Sequence, residues 1–309
     1  MKFKKPKFWD YREVSILSIL LFPFSLIFLL SIFLLRIFKT RGKFQIPIIC
    51  IGNIYLGGTG KTPLAREVFN ITKSFQKKPA YIKKSYDYLN DEIKMLKKNG
   101  KIFTGKSRKE CIYLCIENKH DVAILDDGFQ DFSVKPDFSI LCFNSKQLIG
   151  NGFVLPSGPL RENFNAIGRA NCIVINGDKN LEFEKKINES LGQDRKISIF
   201  YSKYKIKNIT NFQNKEFTAF AGIGNPQNFF ELLKENNIQI KRSLSFPDHY
   251  EYSQNDFDKI LGDKSTKLLT TEKDYFRMSD QQKKLCDYIE VSLEIQNIEE
   301  FKNLIKKYL

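Results

Sequence analysis

Residues 57–62 read Gly-Gly-Thr-Gly-Lys-Thr and lie five residues after the apolar run Ile-Pro-Ile-Ile-Cys-Ile that starts at Ile46. In a turn this rich in glycine, backbone N–H groups can point inward around a phosphate. The closing lysine reaches the terminal phosphates, and the threonine hydroxyl can ligate Mg²⁺. Gly57, Gly58, Thr59, Gly60, Lys61 and Thr62 are therefore candidate phosphate-binding residues, with Lys61 the candidate for neutralising charge on a transferred phosphoryl group. Tyr55 stands where the strict pattern has its first glycine. Pro63 is compatible with a helix opening at Lys61, because the first helical turn does not need its N–H. A second stretch, Val-Ala-Ile-Leu-Asp-Asp-Gly from Val122, is an apolar strand ending on Asp126 and Asp127. Beside a phosphate loop, such a strand places an acid on the Mg²⁺ that bridges nucleotide phosphates. Thr62, Asp126 and Asp127 are the candidate metal ligands.

The elements that must hold these residues follow from the pattern of the chain. Strands are expected at 46–52, 80–82, 121–126, 138–143 and 172–175, with helices from Lys61, over 91–98 and over 107–118 between them. That alternation predicts an α/β fold, a P-loop NTPase-like parallel sheet with helices on both faces. Residues 176–214 read as a polar, irregular connection. A second, smaller α/β lobe follows, with strands at 217–221, 241–246 and 268–271, helices at 227–236 and 298–309, and a turn carrying Glu272-Lys273-Asp274. The expected organisation is a membrane-associated segment over 1–42, the phosphate-loop core over 43–175, and a second lobe over 176–309 that completes the active site.

Residues 14–35 carry no charge and include Pro23. As a helix they are long enough to cross a bilayer core. Lys2, Lys4, Lys5, Lys7 and Arg12 precede them, and Arg36, Lys39, Arg41 and Lys43 follow. Basic residues on both flanks leave the segment without an orientation from the positive-inside rule. A helix that is apolar all round and shows only scattered serines points to membrane attachment. The formal charge of +15 is spread along the chain, not gathered into arginine-rich, aromatic-interleaved patches, so nucleic acid is not the expected partner. Six cysteines without a Cys-x-x-Cys pair, together with two histidines, give a zinc or iron–sulfur site too little to work with. Reduced, buried thiols are expected.

The set GNIYLGGTGKTP, ILDDGFQ, LPSGPLRE, AFAGIGNP, SFPDHYEYS and LTTEKD, in that order and at these spacings, closely resembles the tetraacyldisaccharide 4'-kinase family, the lipid A kinases of Gram-negative bacteria. The resemblance runs from Ile46 into the C-terminal region. It implies transfer of the ATP γ-phosphate to the 4'-hydroxyl of a tetraacylated glucosamine disaccharide 1-phosphate, forming lipid IVA at the cytoplasmic leaflet of the inner membrane. ATP and Mg²⁺ are the implied cofactors and an acylated disaccharide phosphate lipid is the substrate, with no obligate protein partner evident. By the same resemblance, Lys61 and Thr62 contact phosphate and Mg²⁺, Asp126 and Asp127 are the acidic pair, and Asp91 is the general base, with His249 as its partner. Arg108, Gln130, Arg161 and Glu162 fall on positions used near nucleotide or substrate. Read by themselves, Asp91 and Glu92 are first-turn acids that complement a helix dipole, and His249 is a turn histidine.

The chain departs from the family pattern in two places. Lys83-Lys84-Ser85-Tyr86 stands where Ser-Arg-Gly-Tyr is usual, with a much shorter insertion before Asp91. Asp131 replaces a common histidine, and a carboxylate there is expected to repel phosphate. The alternative reading of the whole is a membrane-tethered P-loop nucleotide hydrolase acting as a switch or assembly factor.

Overall fold

The structure is a computed structural model that describes residues 5–11, 13–86, 90–192, 195–262 and 266–309. Lys2, Lys4 and Arg12 of the basic flank, and 87–89 of the polar segment before Asp91, lie outside the described residues. The chain forms two compact units. A nucleotide unit holds residues 5–84, 100–203 and 293–309; a second unit holds 85–99 and 204–292.

The nucleotide unit is built on β1 (Ile48–Gly52), β2 (Pro79–Lys84), β3 (Ile102–Gly105), β4 (Val122–Asp126), β5 (Phe138–Asn144), β6 (Cys172–Asn176) and β7 (Ser198–Ile206). With β12 (Val291–Ile295) they form an eight-stranded sheet in the order β12-β7-β6-β5-β1-β4-β2-β3. The pairs from β7 through β3 are parallel. Every residue of β1, β4, β5 and β6 is buried. Strands covered on both faces read as unbroken apolar runs, as these do. Helices α2 (Lys61–Ser74), α4 (Arg108–Glu117) and α5 (Leu181–Leu191) belong to this unit, and α10 (Ile298–Lys306) is its C-terminal helix. In the register, Ile51 pairs with Asp126, so the phosphate loop leaves β1 beside the acid that ends β4. Ligands of open parallel sheets sit at such carboxyl ends.

Helix α1 (Ile16–Phe38) contains Pro23 and is long and apolar enough to cross a membrane. Only Ser18 and Ser25 are buried in it. Ser25 donates to the Val154 carbonyl at 2.8 Å and accepts from the Ser157 N–H at 3.1 Å. Asn151 donates to Ser18 at 3.0 Å, and Phe28 and Leu29 pack on the core. The rest of the helix presents leucine, isoleucine and phenylalanine outward, with Ile16 77% and Phe38 78% exposed.

The second unit carries a four-stranded parallel sheet of β11 (Cys286–Ile289), β10 (Lys267–Thr271), β8 (Glu216–Ala221) and β9 (Gln239–Ser245), in that order. Its helices are α3 (Asn90–Asn99), α6 (Pro226–Glu235), α7 (Gln254–Leu261), α8 (Glu272–Arg277) and α9 (Asp280–Lys283).

Two expectations are corrected. The stretch 176–214 is not an irregular connection, since it contains α5 and β7. Phe183 and Ile187 form the buried stripe of α5, and Asn180 caps it by accepting from the Phe183 N–H at 2.9 Å. Exposed Lys, Glu and Asn around that narrow stripe dilute the apolar signal. Residues 272–274 are the first turn of α8, capped by Thr271, which accepts from the Asp274 N–H at 3.1 Å. The strands over 102–105, 286–289 and 291–295 have no counterpart in the sequence reading. Where that reading divides the chain at 175/176, the compact units keep 176–203 and 293–309 with the phosphate loop and place 85–99 in the second unit.

Candidate active site

The phosphate loop depends on backbone that only glycine adopts readily. Gly57 has φ +124° and Gly60 φ +93°, both in the region where a Cβ is strained. Gly60 caps α2 without a side chain to offer. The first N–H groups of the 14-residue helix therefore have no side-chain cap, which is the arrangement that binds an anion. Asn53, fully buried beneath the turn, brackets it from inside. Its Nδ2 donates to the Tyr55 carbonyl at 2.5 Å, to Thr59 Oγ1 at 3.0 Å and to the Gly57 carbonyl at 3.3 Å. The sequence reading passed over Asn53; its signal was an amide side chain between an apolar strand and a glycine turn. Tyr55 is held in turn, donating to Asp10 at 2.5 Å and accepting from Lys5 at 2.8 Å.

The two acids at the end of β4 have different partners. Asp126 Oδ2 accepts from Thr62 Oγ1 at 3.3 Å and from the Lys83 ammonium at 2.5 Å. Its Oδ1 is buried without a hydrogen-bond partner among the described residues. Asp127 adopts φ +59° and faces Arg161, whose NH1 lies 2.9 and 3.1 Å from its two oxygens. Lys61 Nζ is 3.6 Å away. Desolvation pushes the Asp127 carboxyl up, but Lys61, Arg161 and Lys83 together hold it well below the usual carboxylate range.

Arg161 also reaches Gln130 Oε1 at 3.3 Å, and Gln130 donates to the Asn53 carbonyl at 2.9 Å and to Glu162 at 3.0 Å. Arg169, absent from the sequence reading, donates to Glu162 at 2.9 Å. Arg108 donates to Asp131 at 2.8 Å and to the Asp127 carbonyl at 2.8 Å. The repulsion expected of Asp131 is met locally, because Arg108 and Lys84, the latter at 3.5 Å, neutralise it. Burial raises the Asp131 carboxyl, and bonds from Ser133 and Arg108 more than reverse that. The structure thus gathers Lys61, Thr62, Asp126, Asp127, Arg108, Gln130, Arg161 and Glu162 into one network.

No cluster of three or more His, Cys, Asp or Glu that could hold a metal occurs among the described residues. Thr62 Oγ1 and the unpartnered Asp126 Oδ1 are nonetheless a hard-oxygen pair that fits Mg²⁺. That ion normally takes one or two protein oxygens and completes its shell with phosphate and water.

In the second unit, Asp91 lies in the first turn of α3 and is 2% exposed. Its Oδ1 accepts from the Glu92 N–H at 2.8 Å. Its Oδ2 is claimed by Arg277, with NH2 at 2.7 Å and Nε at 3.3 Å. His249 Nδ1 is 3.8 Å from the same oxygen, close enough to interact but too long for a hydrogen bond. His249 sits at φ +55°, with Nε2 3.4 Å from Lys273 Nζ. Burial and the Lys273 charge lower its pKa, outweighing Asp248 and Asp91, so the imidazole is neutral at pH 7. Arg277 also donates from NH1 to the Gly222 carbonyl at 3.1 Å, the Tyr250 carbonyl at 3.2 Å and Asp274 at 3.1 Å. Asp274 itself accepts from the Gly222 N–H, the Tyr252 hydroxyl and Thr271. The sequence reading did not single out Arg277. The available signal was a cation three residues after Asp274 in a short helix.

A family model described as Tetraacyldisaccharide-1-P 4'-kinase matches residues 17–309. The chain is 40% identical to the tetraacyldisaccharide 4'-kinase of Pelagibacter ubique, over 100% of this chain and 98% of that one. It is 31% identical to the enzyme of the same name from Rickettsia bellii, over 96% of each. Among solved structures, a member from Aquifex aeolicus in complex with ATP superposes with a TM-score of 0.74 at 25% identity, over 95% of this chain and 99% of that one.

Proposed function

The chain belongs to the tetraacyldisaccharide-1-P 4'-kinase family, and from that premise we propose how its residues divide the work. The protein is an ATP-dependent kinase that phosphorylates the 4'-hydroxyl of a tetraacylated disaccharide 1-phosphate in lipid A synthesis. What carries the phosphoryl-transfer reading is one observation: the start of α2, without a side-chain cap, opens on a Thr62–Asp126 pair whose carboxylate Oδ1 has no partner among the described residues.

Phosphoryl transfer through a loose transition state asks mainly for positioning and charge neutralisation. The loop amides from Gly57 to Thr62 and the Lys61 ammonium hold the β- and γ-phosphates. Thr62 and Asp126 would hold Mg²⁺, which neutralises charge on the phosphates. Asp127 orients Arg161 and Lys61 toward the phosphates, while Arg161, Gln130, Glu162 and Arg108 shape the surrounding nucleotide and substrate contacts. Asp91 accepts the proton of the 4'-hydroxyl as the sugar oxygen bonds to the γ-phosphorus and the bond to the ADP oxygen breaks. His249, neutral at pH 7, stands beside the carboxylate and can pass that proton on.

The apolar face of α1 enters the cytoplasmic leaflet of the inner membrane, where an acylated substrate resides. Ser18 and Ser25 fix the opposite stripe of the helix to the nucleotide unit, and Arg36, Lys39, Arg41 and Lys43 meet anionic headgroups. Residues 1–42 then form the membrane segment.

The test is transfer of labelled phosphate from ATP to a tetraacyldisaccharide 1-phosphate in mixed micelles with Mg²⁺, comparing the intact protein with Lys61→Ala and Asp91→Ala. Both variants should lose transfer, Asp91→Ala by about 10²–10⁴-fold with ATP affinity retained. Equal loss of ATP affinity in Asp91→Ala would make that residue a nucleotide ligand and overturn the base assignment. ATP hydrolysis indifferent to added glycolipid would favour a nucleotide switch.

A further inference from the structure

Asp126 already has a cation. The Lys83 ammonium lies 2.5 Å from its Oδ2, and the two side chains are 2% and 0% exposed. Thr62 bonds to the same oxygen, so Oδ2 is doubly engaged while Oδ1 has no partner among the described residues. Lys83 is the penultimate residue of β2, the sheet neighbour of β4, so the sheet itself aims the lysine at the acid.

We propose that Lys83 is a tethered counter-ion for the magnesium-site acid. It neutralises Asp126 when no divalent cation is bound and weakens divalent binding at Oδ1 when one arrives. The argument is electrostatic. A carboxylate taken fully out of water needs a compensating charge at all times. In a site that binds Mg²⁺ only together with nucleotide, that charge is missing for part of every cycle. Lys83 supplies it from the protein. The consequence is competition: a unit positive charge a few ångströms from a divalent ion lowers its affinity by about tenfold or more, even at a high effective dielectric constant. The chain thereby binds little free Mg²⁺ and takes its cation with ATP, whose phosphates bring the extra negative charge.

The inference rests on Asp126 being a metal ligand, and the test separates the two claims without using turnover. Mn²⁺ affinity of the full-length protein in detergent is measured by electron paramagnetic resonance, without nucleotide, at pH 8. In the Lys83→Met background, where binding is expected to be measurable, adding Asp126→Asn should abolish it; its retention would overturn the ligand assignment and the counter-ion role together. Lys83→Met should bind Mn²⁺ at least tenfold more tightly than the native chain, and Lys83→Arg should match the native chain. Thermal unfolding of Lys83→Met without metal should move to lower temperature and recover when Mn²⁺ is added. If Lys83→Met does not fold, Lys83→Ser makes the same comparison with a small neutral residue. Unchanged or weaker Mn²⁺ binding in the folded neutral variant overturns the proposal.

Discussion

Arg277 gives the sharpest test of how Asp91 is held. Its guanidinium donates to two carboxylates, Asp91 at 2.7 Å and Asp274 at 3.1 Å, whose side chains are 1% and 0% exposed. Arg277→Met leaves Asp274 with the Gly222 N–H, the Tyr252 hydroxyl and Thr271, so most of the damage falls on Asp91. Breaking a buried pair by removing one partner costs about 3–5 kcal/mol, a large share of a typical stability of about 5–15 kcal/mol. Arg277→Lys keeps the charge but not the planar fork. It forfeits one or two charge-assisted bonds, each worth about 1.5–3 kcal/mol, and should fall between native and Met. The single tryptophan, Trp9, belongs to the nucleotide unit and does not report on this one. The assay is therefore urea unfolding by circular dichroism, combined with hydrogen exchange on peptides covering residues 220–224 and 248–252. In the phosphotransfer assay, Arg277→Met should lower kcat by about 10²–10⁴-fold, the range set for the base itself, and leave the KM for ATP unchanged. Added to Asp91→Ala it should lower the rate no further, because the two act as one unit. Native stability in Arg277→Met, or fully additive rate losses, would refute the reasoning.

His249 has a lowered pKa in the folded chain, so the unfolded state binds more protons between the two values. Its contribution to stability is complete above about pH 6.5 and falls as pH drops below that. His249→Asn, which tolerates the left-handed backbone, should flatten the slope of stability against pH below about 6.5; an unchanged slope would count against it. The thiols of Cys50 and Cys142 are pushed up to about 12 by burial, and all six cysteines are buried and unpaired. Iodoacetamide at pH 8 should label the native protein slowly and the urea-unfolded chain quickly; rapid native labelling would contradict the packing. Tyr55→Phe removes the hydroxyl between Asp10 and Lys5. A loss of about 1 kcal/mol with a red shift of the Trp9 emission is expected, and no change in either would show that the phenol does not fix the N-terminal segment.

The parallel core was legible because its strands are buried on both faces, and such strands carry their own signature: Ile48 to Ile51 and Val122 to Leu125 hold no polar residue. Elements with one thin buried stripe were not. In α5 the stripe is Phe183 and Ile187 amid glutamates and lysines, and β3 has a single buried residue, Phe103. Long-range membership was also hidden. That residues 85–99 pack with 204–292 depends on contacts such as that between α3 and α8, which no local period encodes.

The residues that touch phosphate were legible by type and spacing, while those that hold them in register were not. Asn53 and Arg277 act through several backbone carbonyls at once, and a carbonyl partner leaves no trace in the sequence. The geometry also explains how so many charges coexist in the nucleotide unit before ligand arrives. Lys61 and Arg161 share Asp127, Lys83 holds Asp126, and Arg108 with Lys84 holds Asp131. Each cation that a phosphate needs is parked on a carboxylate of the chain. ATP binding is therefore an exchange of anions, in which phosphate oxygens replace Asp127 on Lys61 and Arg161. The cost of stripping water from those cations was met on folding, so the bound phosphate gains the charge-assisted bonds while much of the desolvation is already complete. Asp127→Asn, by weakening that parking without removing a cation, should bind ATP at least as tightly as the native chain while losing stability. Weaker ATP binding in that variant would show instead that Asp127 contacts the nucleotide or its metal directly.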